Sequence, residues 1–208
     1  MKNNDDFIVT FEEKLCEYTG SPFSVVVDRC TNAILLSLEY FKNKKETLFI
    51  PKQTYMSVPM TLINYGYNVK LIDYFWFGNY RIGNTNIYDY AVAFEKNMYK
   101  SGEIQCLSFQ QKKRLSIGKG GAILLDDKNM ARTLRRMRHD GRTTHIGTNK
   151  DMIENNEQIM IGYHMNMTPD EAAKGILLLN QITENYQVGS YKDYSDLSKL
   201  NCFKDYLK

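Results

Sequence analysis

Apolar positions along the chain change period several times, and each change marks an element. In residues 11–18, Phe11, Leu15 and Tyr18 recur at helical spacing, which predicts an amphipathic helix ended by Gly20 and Pro22. A mostly apolar run at 23–27 reads as a strand. The polar turn Asp28-Arg29-Cys30 follows, and then a helix over 31–41 with Ile34, Leu35, Leu38 and Phe41 inward. The pattern repeats as a strand at 47–50, a helix at 53–65 stopped by Gly66, and a strand at 68–73. Strands alternating with helices predict an α/β fold: three layers, with a mostly parallel sheet covered by helices on both faces.

Further along, residues 74–85 are aromatic and glycine-bearing without a clean period and read as irregular. Short strands are expected at 86–88, 104–108 and 121–125, a helix at 128–138, and mostly loop over 139–167. Thr168-Pro169-Asp170-Glu171 carries a capping box, with Thr168 as N-cap, Pro169 at the first helical position and Glu171 reaching back. The stripe Ala172, Ile176, Leu179, Ile182 packs that helix inward, and the chain from about Tyr191 reads as one more helix. No internal repeat or linker is visible. The expected organisation is one large domain over 1–185 with a helical tail over 186–208.

Composition narrows the function classes. The 208 residues are 43% hydrophobic and 25% charged, as in an ordinary globular protein, and 27 basic against 24 acidic residues give +3, which offers no electrostatic case for nucleic acid. The one basic cluster, Arg132, Arg135, Arg136 and Arg138, reads as the solvated face of a helix or as a phosphate or partner site. Cys16, Cys30, Cys106 and Cys202 show no metal-ligand spacing and read as reduced thiols, and His139, His145 and His164 show no zinc-site spacing. No apolar leader or run of about 18 apolar residues occurs, so no membrane span is expected and the cytoplasm is the expected location.

Candidate chemistry sits at the strand ends, where open α/β sheets bind ligands. After the first strand, either Asp28 or Thr31 caps the next helix, or the helix amides and the Thr31 hydroxyl hold a phosphate. Tyr55 is either a ring over a ligand or an ordinary tyrosine. Asp89 ends a strand as a buried carboxylate in need of a partner, or as a helix cap. Ser108 precedes adjacent Lys112 and Lys113 and the turn Gly118-Lys119-Gly120-Gly121. A lysine there is either a surface charge or a Schiff-base nucleophile beside a turn that lets backbone approach a ligand.

The order and spacing of these four ends resemble the DegT/DnrJ/EryC1/StrS sugar aminotransferases. FEEKLCEYTGSPFSVVVDRCTNAILLSL resembles that family's first helix, strand and SGT turn. IPKQTYMSVPMTLINYG resembles its second unit, IYDYA its IEDAA, LSFQQKKRLSIGKGGAILLDD its SFHxTKxLxxGEGGxxxT, and GYHMNMTPDEAAKGILLLNQ its GYNxRMTxxQAAxGLxQL. The resemblance implies the aspartate-aminotransferase fold and pyridoxal 5'-phosphate (PLP) as cofactor. It implies Lys113 as the Schiff-base lysine, Asp89 as partner of the pyridine nitrogen, and Tyr55 stacked on the ring. Thr31 and Ser108 would hold the phosphate beside Cys30. A homodimer with shared active sites is also implied, with His164 reaching the neighbour's phosphate.

The departures from the family pattern are specific. Cys30 replaces the glycine of SGT, Val92 stands where a polar residue is common, His164 replaces an asparagine and Asn166 an arginine. Relatives carry a further strand and helix between the positions of Asp73 and Asp89, and they continue into a small C-terminal domain. The resemblance implies amination of a keto-sugar nucleotide, with glutamate as donor, in surface-polysaccharide synthesis. A catalytically reduced sugar-binding or regulatory subunit, and a PLP-dependent dehydratase or isomerase, are the alternatives.

Overall fold

The computed structural model describes residues 5–142, 160–183 and 186–207, with side chains from Phe7. His145, most of the loop expected over 139–167, and the boundary expected at 185 fall outside the described residues. The helices are α1 (Asp5–Thr19), α2 (Cys30–Phe41), α3 (Ser57–Asn64), α4 (Lys128–Met137) and α5 (Pro169–Leu179). The strands are β1 (Phe23–Val27), β2 (Thr47–Pro51), β3 (Asn68–Ile72), β4 (Tyr80–Arg81), β5 (Ile87–Asp89), β6 (Ile104–Ser108) and β7 (Gly121–Leu125).

Five strands form one sheet in the order β1-β7-β6-β5-β4, and β2 pairs β3 in a second. The α/β architecture expected from the alternation is present. The β5–β6 and β2–β3 pairs are parallel, while β7 runs antiparallel to both its neighbours, and so does β4 to β5. Therefore β1, β5 and β6 share one direction, with β7 inserted against it. The connection 109–120 between β6 and β7, with Gly118 and Gly120 at positive φ, makes this reversal.

Within β1 the side chains separate the two layers of core. Val25 and Val27 join the α2 side with Ile34, Leu35 and Leu38, whereas Val26 joins Phe11, Leu15, Leu107 and Leu124 on the α1–α5 side, as a period of two requires. On that second side α1 crosses α5 closely: a Cβ at Gly175 would lie 2.5 Å from Phe11 Cζ.

Among the described residues the outer edge of β1 has no strand partner, and side chains of α1 and α4 cover it. The Val26 N–H donates to Glu12, while Arg138 donates to Val26 O and Arg135 to Ser24 O at 2.8 Å. Both arginines also ion-pair with Glu12. Charged groups thus satisfy backbone that would otherwise template another strand. The basic cluster of α4 is accordingly not simply a solvated face, since Arg138 is only 2% exposed.

Two expected elements differ. The α3 helix starts later than 53, because Lys52 N–H continues the ladder to Ile72 O and Gln53 bridges to Asp196. The tail is three short 3-10 helices (Tyr191–Asp193, Leu197–Lys199, Asn201–Tyr206) rather than one α-helix. Ser190 and Asp196 accept from Lys192 and Ser198 N–H, and such local side-chain bonds end each turn before it can propagate. The capping box at Thr168 and Glu171 forms as expected.

Candidate functional site

The sequence-chosen positions converge at one end of the sheet. A cavity of about 340 Å³ is lined by Cys30, Thr31, Tyr55, Asp89, Ser108 and Lys113 among others, small but within the usual range of ligand pockets, roughly 300–1,000 Å³. They come from five breaks in the pattern: the start of α2, which supplies both Cys30 and Thr31, the turn after β2, the end of β5, the end of β6, and the loop behind it. His164 is not among them. Its ring is 79% exposed and pairs with Asp140 at 3.3 Å.

At one end of the cavity the starts of α2 and α3 meet. The Thr31 and Ser57 hydroxyls lie 2.6 Å apart, and no side chain caps either helix, the N-cap positions being Arg29 and Met56. Asp28 therefore does not cap α2; it accepts from Asn32 Nδ2 at 2.6 Å and faces Arg29 and Lys119. Two positive helix ends, hydroxyls and cations together favour an anion. Close backbone approach closes this end: a Cβ on Gly121 would stand 2.6 Å from Cys30 N.

At the other end stands Asp89, 6% exposed. One carboxylate oxygen accepts from Ala91 N–H at 2.8 Å and lies 3.9 Å from Cys30 Sγ; the other accepts from Tyr80 Oη at 2.8 Å. Burial pushes the carboxyl above its ordinary range, against the pull of the Ala91 amide, the Tyr80 hydroxyl, Lys113 and the Cys30 thiol. Burial also raises the Cys30 thiol, helped by Asp89 and Cys106. The Cys30 side chain thus lies beneath Asp89 in the core rather than in the anion end.

Lys113 lines this cavity and a second one of about 610 Å³ beside it, which Tyr55, Gln110 and Tyr194 also border. Lys112 borders only the second. Lys113 Nζ is 3.5 Å from the Tyr194 hydroxyl. Val92 likewise faces the second cavity, with Tyr186, Asp193 and Lys112. Sequence reasoning missed Tyr80 and Tyr194, since one lies in the aperiodic stretch and the other in the tail.

The fold is an α/β domain whose cavity has an anion-favouring end, a buried acid and a lysine in its lining. The chain belongs to the DegT/DnrJ/EryC1/StrS aminotransferase family, whose model matches residues 2–75 and 89–189. No curated protein matches it significantly. Among solved structures it is similar to the sugar aminotransferase CalS13 from Micromonospora echinospora (TM-score 0.72, 15% identity) and to AtS13 from Actinomadura melliaura (0.72, 17%), covering 85% of this chain and 60% of each. It is also similar to GDP-4-keto-6-deoxymannose-3-dehydratase, in forms with bound GDP-perosamine and with a trapped PLP-glutamate geminal diamine. For each form the TM-score is 0.64 and the identity 16%, covering 85% of this chain and 61% of that one. The chain therefore spans about 60% of the length of these structures. No helix among the described residues is long and apolar enough to cross a membrane.

Proposed function

We propose that the protein is a PLP-dependent aminotransferase that aminates a keto-sugar nucleotide, with glutamate as donor, in surface-polysaccharide synthesis. The observation that carries the reading is the convergence of Lys113, Asp89 and the Thr31–Ser57–Ser108 hydroxyls on one cavity, in a chain of this family. The residues fit the cofactor: hydroxyls and uncapped helix starts at one end suit a phosphate, and a buried carboxylate at the other suits a protonated ring nitrogen. When bound, PLP supplies an electron sink for a substrate carbanion. Asp89 would hold the proton on that nitrogen. Lys113, placed between the two cavities, would bind the cofactor and then carry a proton to and from substrate in the larger one. Tyr55 would cover the ring, and Asp193 and Lys112 are polar groups positioned to meet a sugar.

The partner reading is a homodimer with shared sites. It is supported by the exposed ring of His164, which stands outside its own chain's cavity, where a neighbour's phosphate could be met by a donated hydrogen bond. Mixing Lys113→Ala with His164→Ala chains should then give hybrids holding more PLP than either parent; mixtures that never exceed the parents exclude the shared site.

The direct test is the absorbance of the protein with PLP, before and after borohydride, with peptide mapping. A pyridoxyl group on Lys113 is expected, and one on Lys112, or on no lysine, overturns the assignment. Release of 2-oxoglutarate from glutamate together with formation of an amino sugar then tests amino transfer; release without an aminated sugar favours the dehydratase reading, and cofactor uptake without release favours the isomerase or non-catalytic readings.

A further inference from the structure

The family match leaves out residues 76–88 and everything beyond 189, and these two stretches meet in the structure. The Tyr191 N–H donates to Trp76 O at 3.2 Å, and the Gly78 N–H to the carbonyl of Gly189, the last matched residue, at 2.8 Å. Phe77 forms a bridge with Ser190. Between them stands Trp76, 6% exposed and the sole tryptophan of the chain. Its ring lies 5.2 Å from that of Tyr80 and 5.6 Å from that of Tyr194, and its indole N–H donates to Gln53 O.

Each tyrosine of this bracket ends on a group of the cavity. The Tyr80 hydroxyl donates to Asp89 at 2.8 Å and is itself 2.6 Å from Thr54 Oγ1, so the Thr54 hydroxyl proton serves Tyr80 while the Tyr80 proton serves Asp89. The Tyr194 hydroxyl meets Lys113 Nζ at 3.5 Å. Burial, followed by the Asp89 charge, pushes both phenols above their ordinary range, so both remain neutral donors. The charged and titratable groups facing this point are Asp89 on β5, Cys106 on β6, Cys30 at the start of α2, Lys113 on its loop, and Tyr186, Asp193 and Tyr194 on the tail.

We propose that Tyr80 and Tyr194 are positioning residues for Asp89 and Lys113 respectively, set by a Trp76 bracket that the two unmatched segments build together. Tyr80 fixes one Asp89 oxygen while the Ala91 amide holds the other, so the carboxylate stands in one orientation at the cavity. Tyr194 holds the lysine amine in either protonation state, by donating to its lone pair or by accepting from the ammonium. Both contacts lower the amine's availability to an external electrophile.

This inference rests on the reading of Lys113 and Asp89 as the reactive pair, but it can be tested without cofactor, so the two can fail separately. In cofactor-free protein, Tyr194→Phe keeps the ring against Trp76 and removes only the hydroxyl. Acylation of Lys113 by a small amine-reactive reagent, measured against Lys112 in the same peptide, should rise about threefold to tenfold, as loss of one hydrogen bond implies. Tyr80→Phe should move the Asp89 carboxyl titration, followed by carbon NMR, upward. Unchanged Trp76 emission and a single cooperative unfolding transition show in each case that the bracket has survived. An unchanged Lys113 to Lys112 ratio in Tyr194→Phe, or an unmoved Asp89 titration in Tyr80→Phe, overturns the proposal for that tyrosine.

Discussion

Glu12 and Asp89 are both buried acids, 4% and 6% exposed, and the fold treats them in opposite ways. Glu12 meets two guanidinium groups and a backbone N–H, and through them it covers the free edge of β1. Asp89 meets an amide, a phenol and a thiol, and no cation lies within ion-pair distance of it among the described residues. A buried charge fully matched by cations is a structural fixture that is expensive to break. One left partly matched stores an unmet demand, and in a cavity that demand is available to a ligand.

The largest effect should come from the under-matched acid. Asp89→Asn should lower turnover about 100- to 10,000-fold, or roughly 2.7–5.5 kcal/mol of barrier at about 1.36 per decade, while the cofactor-free protein melts no lower than wild type. Steady-state rates and calorimetry on the same preparation check both halves. Glu12→Ala should do the reverse. It strands Arg138 and the Val26 amide, so about 3–5 kcal/mol of stability should be lost, with any fall in activity tracking the folded fraction in a urea titration. Smaller again is Arg135→Gln: Arg135 is 37% exposed at its side chain, water can replace it, and the expected loss is about 1 kcal/mol. If Arg135→Gln proves as damaging as Glu12→Ala, the edge depends on the partly exposed pair and the contrast drawn from burial is wrong.

How far the sequence revealed these two regions follows from periodicity. The elements β1, α2, β6, β7 and α5 were legible because their apolar runs have clear periods and, for α5, a capping box. Thr31, Asp89, Ser108 and Lys113 were legible as residues at strand ends and in a family order. The Glu12–Arg138 cluster was not, because a charge pattern alone does not distinguish a solvated helix face from one laid over a sheet edge. Tyr80 and Tyr194 were hidden for a different reason. Their segments have no period, lie outside the family match, and acquire meaning only when the backbone of 76–79 docks on that of 189–191. The inserted direction of β7 was also invisible, since a strand's apolar run does not record which way it runs.

The smallest effect is the sharpest test of the contrast. Burial raises the Asp89 carboxyl in the folded protein above an unfolded value of about 3.9, so the native state holds that proton more tightly than the unfolded chain does. Stability from this group is therefore greatest at low pH and is lost as pH rises through the folded midpoint. Asparagine at the same position cannot titrate. The stability of cofactor-free Asp89→Asn minus that of wild type should accordingly grow as pH rises from about 4, then level off once the wild-type carboxyl is ionised. Cys30, Tyr80 and Tyr194, which face the carboxylate, are all pushed upward and stay neutral through that window, so they do not confuse the difference. Urea denaturation of both proteins at several pH values between 4.5 and 8 measures it. A difference that is flat, or that widens toward acid, would mean that Asp89 is as comfortably ionised as a fully paired acid, and the distinction between the two buried carboxylates would fail at its physical root.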